Sequence, residues 1–223
     1  QYNILDLIES FGIFSHTDLW FIPAYFALYI IAPIINKGIA DLKAKPFILL
    51  LCGLTFINVY LGWGWSHKIN PTGYNVMQLI YIYIIGRFLK VHISRYRNIK
   101  HWYIVGYIAS FLLIALSTLF CKSTMAFAYN SPFVISASAF FFLIFTSFRF
   151  YSPNINFIAS SAFAVYLIHK MPPIWNDLKN LLIDNTKNAD PFTFTLFWFL
   201  FIALIFSSCF SFDKFSELVT KPF

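Results

Sequence analysis

Long apolar runs alternate with short polar breaks along the whole chain. Apolar residues dominate positions of about 19–36, 46–63, 76–91, 102–120, 132–148, 155–171 and 192–211. Within each run they are continuous and do not alternate with polar ones, which predicts helices and argues against barrel strands. At a rise of about 1.5 Å per residue, about 20 helical residues cross the hydrocarbon of a bilayer. The runs 76–91 and 155–171 are short for that length, which predicts little tilt or a place inside the bundle. The pattern as a whole predicts an all-α, polytopic transmembrane bundle of about seven helices, with 1–223 as a single membrane domain.

The breaks carry turn formers and charge clusters: "NKGIADLKAKP" (36–46), "SHKINPTGYN" (66–75), "KVHISRYRNIK" (90–100), "YSPN" (151–154) and "KMPPIWNDLKNLLIDNTKNADP" (170–191). Inside the longest, "IWNDLKNLLI" has apolar residues at helical spacing and predicts a short helix on the membrane surface. There is no internal repeat, so an inverted-repeat transporter gains no support.

Composition agrees with a membrane solvent. The 223 residues are 59% hydrophobic and 11% charged, where soluble domains carry about 25% charged residues. No carboxylate occurs between Asp41 and Asp177, so that stretch holds no carboxylate pair for acid–base chemistry. Cys52, Cys121 and Cys209 lie in or at the ends of apolar runs with no CxxC or Cys/His spacing, which gives no metal site and no disulfide framework. The net charge of +7 sits in short loops between spans, so topology explains it better than a nucleic-acid partner does.

Those loops orient the helices. Lys37, Lys43, Lys45, Arg87, Lys90, Arg95, Arg97, Lys100, Arg149, Lys214 and Lys221 fall on one set of alternate breaks, while Lys68, Lys122, Lys170, Lys179 and Lys187 fall on the other. The positive-inside rule then places the C-terminus in the cytoplasm and residues 1–17 outside. Asp6, Glu9, Asp18, Asp177, Asp184 and Asp190 lie on the outer side with His169.

Four segments in order resemble acyltransferase family 3, the integral-membrane O-acyltransferases that modify surface carbohydrates. "LWFIPAYFALYIIAPIIN" (19–36) resembles a family helix with a Trp-Phe…Tyr…Leu-Tyr…Pro…Asn pattern. "QLIYIYIIGRFLK" (78–90) resembles its Tyr-x-x-Gly helix end followed by basic residues. "INFIASSAFAVYLIHKMPPIW" (155–175) resembles its penultimate helix, where Tyr-Leu-x-His precedes a turn, and "SFDKFSEL" (211–218) is similar to its closing segment. The family's leading helix, which carries an arginine and a histidine implicated in acyl transfer, has no counterpart here. The resemblance therefore implies an N-terminally truncated member, the C-terminal part of a ten-helix domain, of doubtful activity on its own.

Each candidate residue has a functional and a structural explanation. His169 follows Tyr166 by three positions, so the two share a helix face at the outer mouth of their span. Partial burial would favour a neutral imidazole able to accept a hydroxyl proton, with Asp18 or Asp177 as possible orienting groups. The alternatives are lining of an acceptor path or capping of the helix at the interface. Arg87, after Gly86, would hold phosphates of an acyl donor or snorkel to headgroups with Lys90, Arg95 and Arg97. Trp20, Tyr25 and Tyr29 would stack on sugar rings or form the interfacial aromatic belt. Ser136, Ser138, Ser160 and Ser161 fit close helix packing better than nucleophilic roles, since no Gly-x-Ser-x-Gly surrounds them.

The resemblance implies O-acyl transfer, expected to be O-acetyl transfer, to a surface polysaccharide or glycoconjugate in a bacterial inner membrane. Acetyl-coenzyme A is the expected donor substrate, with no bound cofactor; membrane lipid and a glycan acceptor are the expected partners, without nucleic acid. A flippase for a lipid-linked glycan and a non-catalytic membrane scaffold remain as alternatives. The flippase would ordinarily carry ionisable groups mid-membrane, and no span has one clearly at its centre.

Overall fold

The computed structural model describes residues 19–66, 69–93, 100–121, 124–148 and 151–220. Asp6, Glu9, Asp18, Lys68, Arg95, Arg97, Lys122, Arg149 and Lys221 lie outside the described residues. Among those described, the chain is helical with no strand. In order come α1 (Phe21–Ile39), α2 (Ala44–Thr55), which continues as a π-helical stretch over Phe56–Ser66, and α3 (Val76–Phe88), which continues likewise over Leu89–Ile93. Then follow α4 (Lys100–Cys121), a 3₁₀ turn (Thr124–Phe127), α5 (Pro132–Ser147), α6 (Pro153–Ser160), α7 (Ala162–Lys170), α8 (Pro172–Thr186) and α9 (Pro191–Thr220).

Six of the seven apolar runs are helices long and apolar enough to cross a membrane: Phe21–Ile39, Ala44–Gly64, Val76–Ile93, His101–Phe120, Met125–Ser147 and Pro191–Thr220. Large apolar side chains on them face outward, among them Leu49 at 75% and Phe120 at 81% exposure. Water would not tolerate such a surface, whereas lipid costs it nothing. The chain is an integral membrane protein.

The seventh run, 155–171, is not one helix. Ser161 (φ −89°, ψ −2°) ends α6 and precedes α7, leaving helices of 8 and 9 residues. Ser161 is fully buried, and its hydroxyl has no hydrogen-bond partner among the described residues. The break falls at the Ser-Ser pair, where small polar side chains are poor at holding a helix interior together. The segment predicted to lie between 170 and 191 does form a helix, α8.

The chain divides into two compact units, one built on Trp20–Arg149 and the other on Phe150–Phe223. In the first, α4 and α5 pack along one another, and α3 packs against α1, α2 and α5. One core cluster joins Ile39, Phe47 and Ile84; another joins Leu89, Tyr103 and Leu143. Polar links cross between helices as well. Tyr83 Oη donates to Asn36 Oδ1 at 2.8 Å, and Thr55 Oγ1 lies 2.8 Å from Tyr81 Oη.

A buried amide cluster fixes the loops of this unit. Asn58, Asn70, Gln78 and Asn130 are all shielded from solvent. Asn70 Nδ2 donates to Asn58 Oδ1 (2.9 Å) and Gln78 Oε1 (3.2 Å), while Asn70 Oδ1 accepts from the Gly73 N–H (3.0 Å) and Asn75 Nδ2 (2.8 Å). Gln78 Nε2 donates to the Tyr129 carbonyl at 2.7 Å, and Asn130 Nδ2 donates to the Asn70 carbonyl. Asn75 caps α3 by accepting from the Gln78 N–H at 3.0 Å. Gly73 takes φ +83°, and a Cβ there would stand 2.6 Å from Tyr129 Cβ, so only glycine fits.

In the second unit α7 packs along α9, with α8 against both. Lys214 Nζ donates to Ser160 Oγ at 3.0 Å, pairs with Glu217 (3.0 Å) and Asp213 (3.7 Å), and lies over the Phe157 ring. This ties the start of the broken segment to the end of α9. Ser136 and Ser138 donate to carbonyls one turn back in α5, as packing serines do.

Candidate functional site

His169 stands in the last turn of α7, the element that Ser161 sets off from α6. Side chains on a helix lean back toward the preceding turn, and this ring does so. Its Nδ1 lies 2.6 Å from the Val165 carbonyl oxygen. A carbonyl can only accept, so Nδ1 carries the proton and donates. In the neutral ring Nε2 is then the basic nitrogen. The orienting partner at Nδ1 is thus a main-chain carbonyl and not Asp177, while Asp18 lies outside the described residues.

Aromatic rings surround the imidazole. Tyr166 meets it at 6.1 Å and Trp175 at 6.3 Å between centroids, both edge-on. Trp175 also receives the Lys170 ammonium, 3.9 Å from its centroid, a cation–π contact. His169 and Trp175 line a cavity of about 500 Å³ between α7, α8 and α9. Its other walls are almost wholly apolar, including Val165, Leu182, Trp198, Phe201 and Ile205, and among the described residues Lys179 is the one ammonium on its lining. Tyr166 touches His169 but does not line this cavity.

At the start of α9, Asp190 caps the helix. Its Oδ2 accepts from the N–H groups of Phe192 and Thr193, both at 3.1 Å. Hydrogen bonds from Thr193, side chain first and then main chain, hold its carboxyl below the ordinary range.

Trp20, Tyr25 and Arg87 belong to the other unit. Trp20 joins Tyr74 (5.0 Å) and Tyr129 (5.7 Å) in a group of three rings, with Tyr74 and Tyr129 4.9 Å apart, beside the amide cluster. Tyr25 stacks on Phe21 at 5.6 Å and is half exposed. Arg87 lies in the last turn of α3, 12 residues and so about 18 Å along the helix from Asn75. It is therefore at the opposite end of α3 from the rings around Trp20. The structure brings His169 and Tyr166 together, and it places Trp20 and Arg87 at separate ends of their unit.

Residues 4–213 match the family model for the acyltransferase domain of acyltransferase family 3. The chain belongs to acyltransferase family 3. Neither the curated proteins nor the solved structures yield a match. Two hydrogen bonds join the four resembling segments in pairs. Tyr83 of the second family segment bonds Asn36 of the first, and Lys214 of the fourth bonds Ser160 of the third.

Three residues of the site escaped the sequence: Trp175, Lys179 and Trp198. A signal was present for two of them, since Trp175, Lys179 and Ile183 recur at four-residue spacing and so share one face of α8. Trp198 offered none, because aromatic residues fill the whole of α9.

Proposed function

We propose that this family 3 chain serves O-acyl transfer to a hydroxyl of a surface polysaccharide or related glycoconjugate, with acetyl-coenzyme A as donor. In this reading the membrane is the bacterial cytoplasmic membrane and the C-terminus is cytoplasmic. Arg87 would then be on the donor side, at the cytoplasmic end of α3, and His169 on the acceptor side.

The observation that carries the reading is the bond from His169 Nδ1 to the Val165 carbonyl on the wall of the cavity. It holds the ring in one tautomer with Nε2 available as a base. The acceptor hydroxyl gives its proton to Nε2 as its oxygen attacks the acyl carbonyl. The carbonyl–sulfur bond breaks, the acyl group ends as an ester on the acceptor, and the leaving thiolate takes the proton from Nε2, which restores the neutral imidazole. Tyr166 and Trp175 position the ring, and the apolar walls exclude the water that would hydrolyse the donor.

Membrane vesicles from cells carrying the gene in its native context, given acetyl-labelled coenzyme A, should transfer label to surface glycan. Vesicles from a deletion strain should not. Equal labelling in both would reject the reading.

A further inference from the structure

The cavity beside His169 is built for something other than a sugar ring. Its size falls in the range of about 300–1,000 Å³ that encloses a whole small ligand, far more than an acetyl group needs. Leu182, Ile183, Phe201, Ile202, Ile205 and Phe206 offer a sugar's hydroxyls no partner. Burying such hydroxyls unpaired is costly, whereas a hydrocarbon chain gains from the same walls.

The polar groups are few and gather together. Lys179 and His169 line the cavity, and the Lys170 ammonium lies over the ring of Trp175, another lining residue. On α8, Trp175, Lys179, Leu182 and Ile183 share the face toward the cavity. Asp177 is two residues from Lys179, about 200° around the helix, and Asp184 is about 140° from it, so neither carboxylate shares that face. Among the described residues that line the cavity, Lys179 brings cationic charge and no carboxylate stands beside it. A neighbouring cavity of about 650 Å³ provides an internal contrast: it shares the walls Phe201 and Ile205, yet among the described residues no charged side chain lines it.

We infer that the cavity between α7, α8 and α9 binds a phosphate-headed lipid, its hydrocarbon chain against Phe201, Ile202 and Ile205 and its phosphate on Lys179. This lipid is the anchor of the acceptor glycan. That identity rests on the acyl-transfer reading above, because the sugar attached to such a phosphate would emerge beside His169. The binding itself does not depend on that reading.

The test uses a long-chain alkyl phosphate bearing a diazirine in its tail, photolysed on native membranes and mapped by peptide mass spectrometry. Label is expected on α8 and α9 around Ile183, Ile202 and Ile205, competed by dodecyl phosphate and not by dodecanol. Lys179→Ala should weaken labelling about tenfold, as loss of one charge-assisted contact does, and Lys179→Arg should restore it. Labelling is read without acetyl-coenzyme A and glycan transfer is scored separately, so lysine-dependent labelling without transfer overturns only the acyl-transfer reading, and transfer without lysine-dependent labelling overturns only this proposal. Equal labelling by phosphate and neutral probes, indifferent to Lys179→Ala, would show ordinary lipid filling the groove and overturn the proposal. Competition by long-chain acyl-coenzyme A but not by dodecyl phosphate would assign the cavity to the donor and overturn it equally. Phosphate label that favours the uncharged neighbouring cavity, on Leu204 and Cys209, would do the same.

Discussion

His169 Nδ1 donates to the carbonyl oxygen of Val165, one helical turn earlier, at 2.6 Å. The bond is made within α7 itself, so the ring's orientation needs no distant partner. It also decides the tautomer, which is usually the task of a carboxylate in sites where histidine is a base. A carbonyl can do this without adding a negative charge to an apolar wall. Loss of the side chain should therefore affect chemistry before it affects folding, since α7 keeps its own main-chain hydrogen bonds.

The amide cluster should be the opposite case. Asn70→Leu would leave Asn58 Oδ1 and Gln78 Oε1 without their donor, and the Gly73 N–H and Asn75 Nδ2 without their acceptor. Each buried group left unsatisfied costs about 1–3 kcal/mol. The expected outcome is a large fall in membrane-extracted protein and in thermal stability in detergent. Wild-type stability in the variant would mean that the loops do not depend on this cluster.

Gly73→Ala tests the same loop through the backbone. The residue would have to hold φ +83° with its Cβ 2.6 Å from that of Tyr129. Destabilisation beyond about 1 kcal/mol is expected, because alanine is strained where φ is positive. Thermal melting measures it, and Gly53→Ala, where a Cβ meets nothing within 4 Å, is the matched control.

Asp190 gives a pH dependence with a definite sign. Its carboxyl is held below the ordinary range by the hydrogen bonds from Thr193, so the folded group binds its proton less readily than the unfolded one. Its stabilising contribution is present above the ordinary carboxylate pKa and disappears as pH falls through the lowered folded value. Asp190→Ala should therefore melt below wild type at neutral pH, and the two should converge on acidification. A difference that stays constant down through the carboxylate range would rule this account out.

The fold was legible in the sequence wherever periodicity and length decide it. Six apolar runs became long helices because each could satisfy its backbone internally while facing lipid. The run 155–171 misled because hydropathy counts Ser160 and Ser161 as small interruptions, whereas the chain breaks there and starts a new helix. The links at Asn36 with Tyr83 and Ser160 with Lys214 join residues about fifty positions apart, and no local pattern announces such a pair. His169 was visible as a polar residue at a helix end. Its partner was not, since a main-chain carbonyl carries no sequence signature.

The broken run makes topology worth measuring. Reporter fusions at Lys43, Tyr74, Lys100 and Asn185 should read inside, outside, inside and outside, given the uneven basic residues of alternate loops. Pro153 to Lys170 spans 18 residues, about 27 Å if laid end to end, which is just short of the hydrocarbon thickness of about 30 Å. A cytoplasmic reading at Asn185 would show that α6 and α7 do not cross, and would put His169 on the cytoplasmic side with the C-terminus beyond α9 on the outer one.

The measurement that bears most directly on the account is acyl incorporation into surface glycan by His169→Asn, normalised to membrane-extracted protein. Asparagine keeps an N–H able to donate to the Val165 carbonyl and removes the basic Nε2. A general base contributes about 10²–10⁴-fold in rate, so the variant should accumulate normally and lose activity by a factor in that range. Specific activity equal to wild type would contradict the role of His169 as the base and return it to a place in the packing of α7.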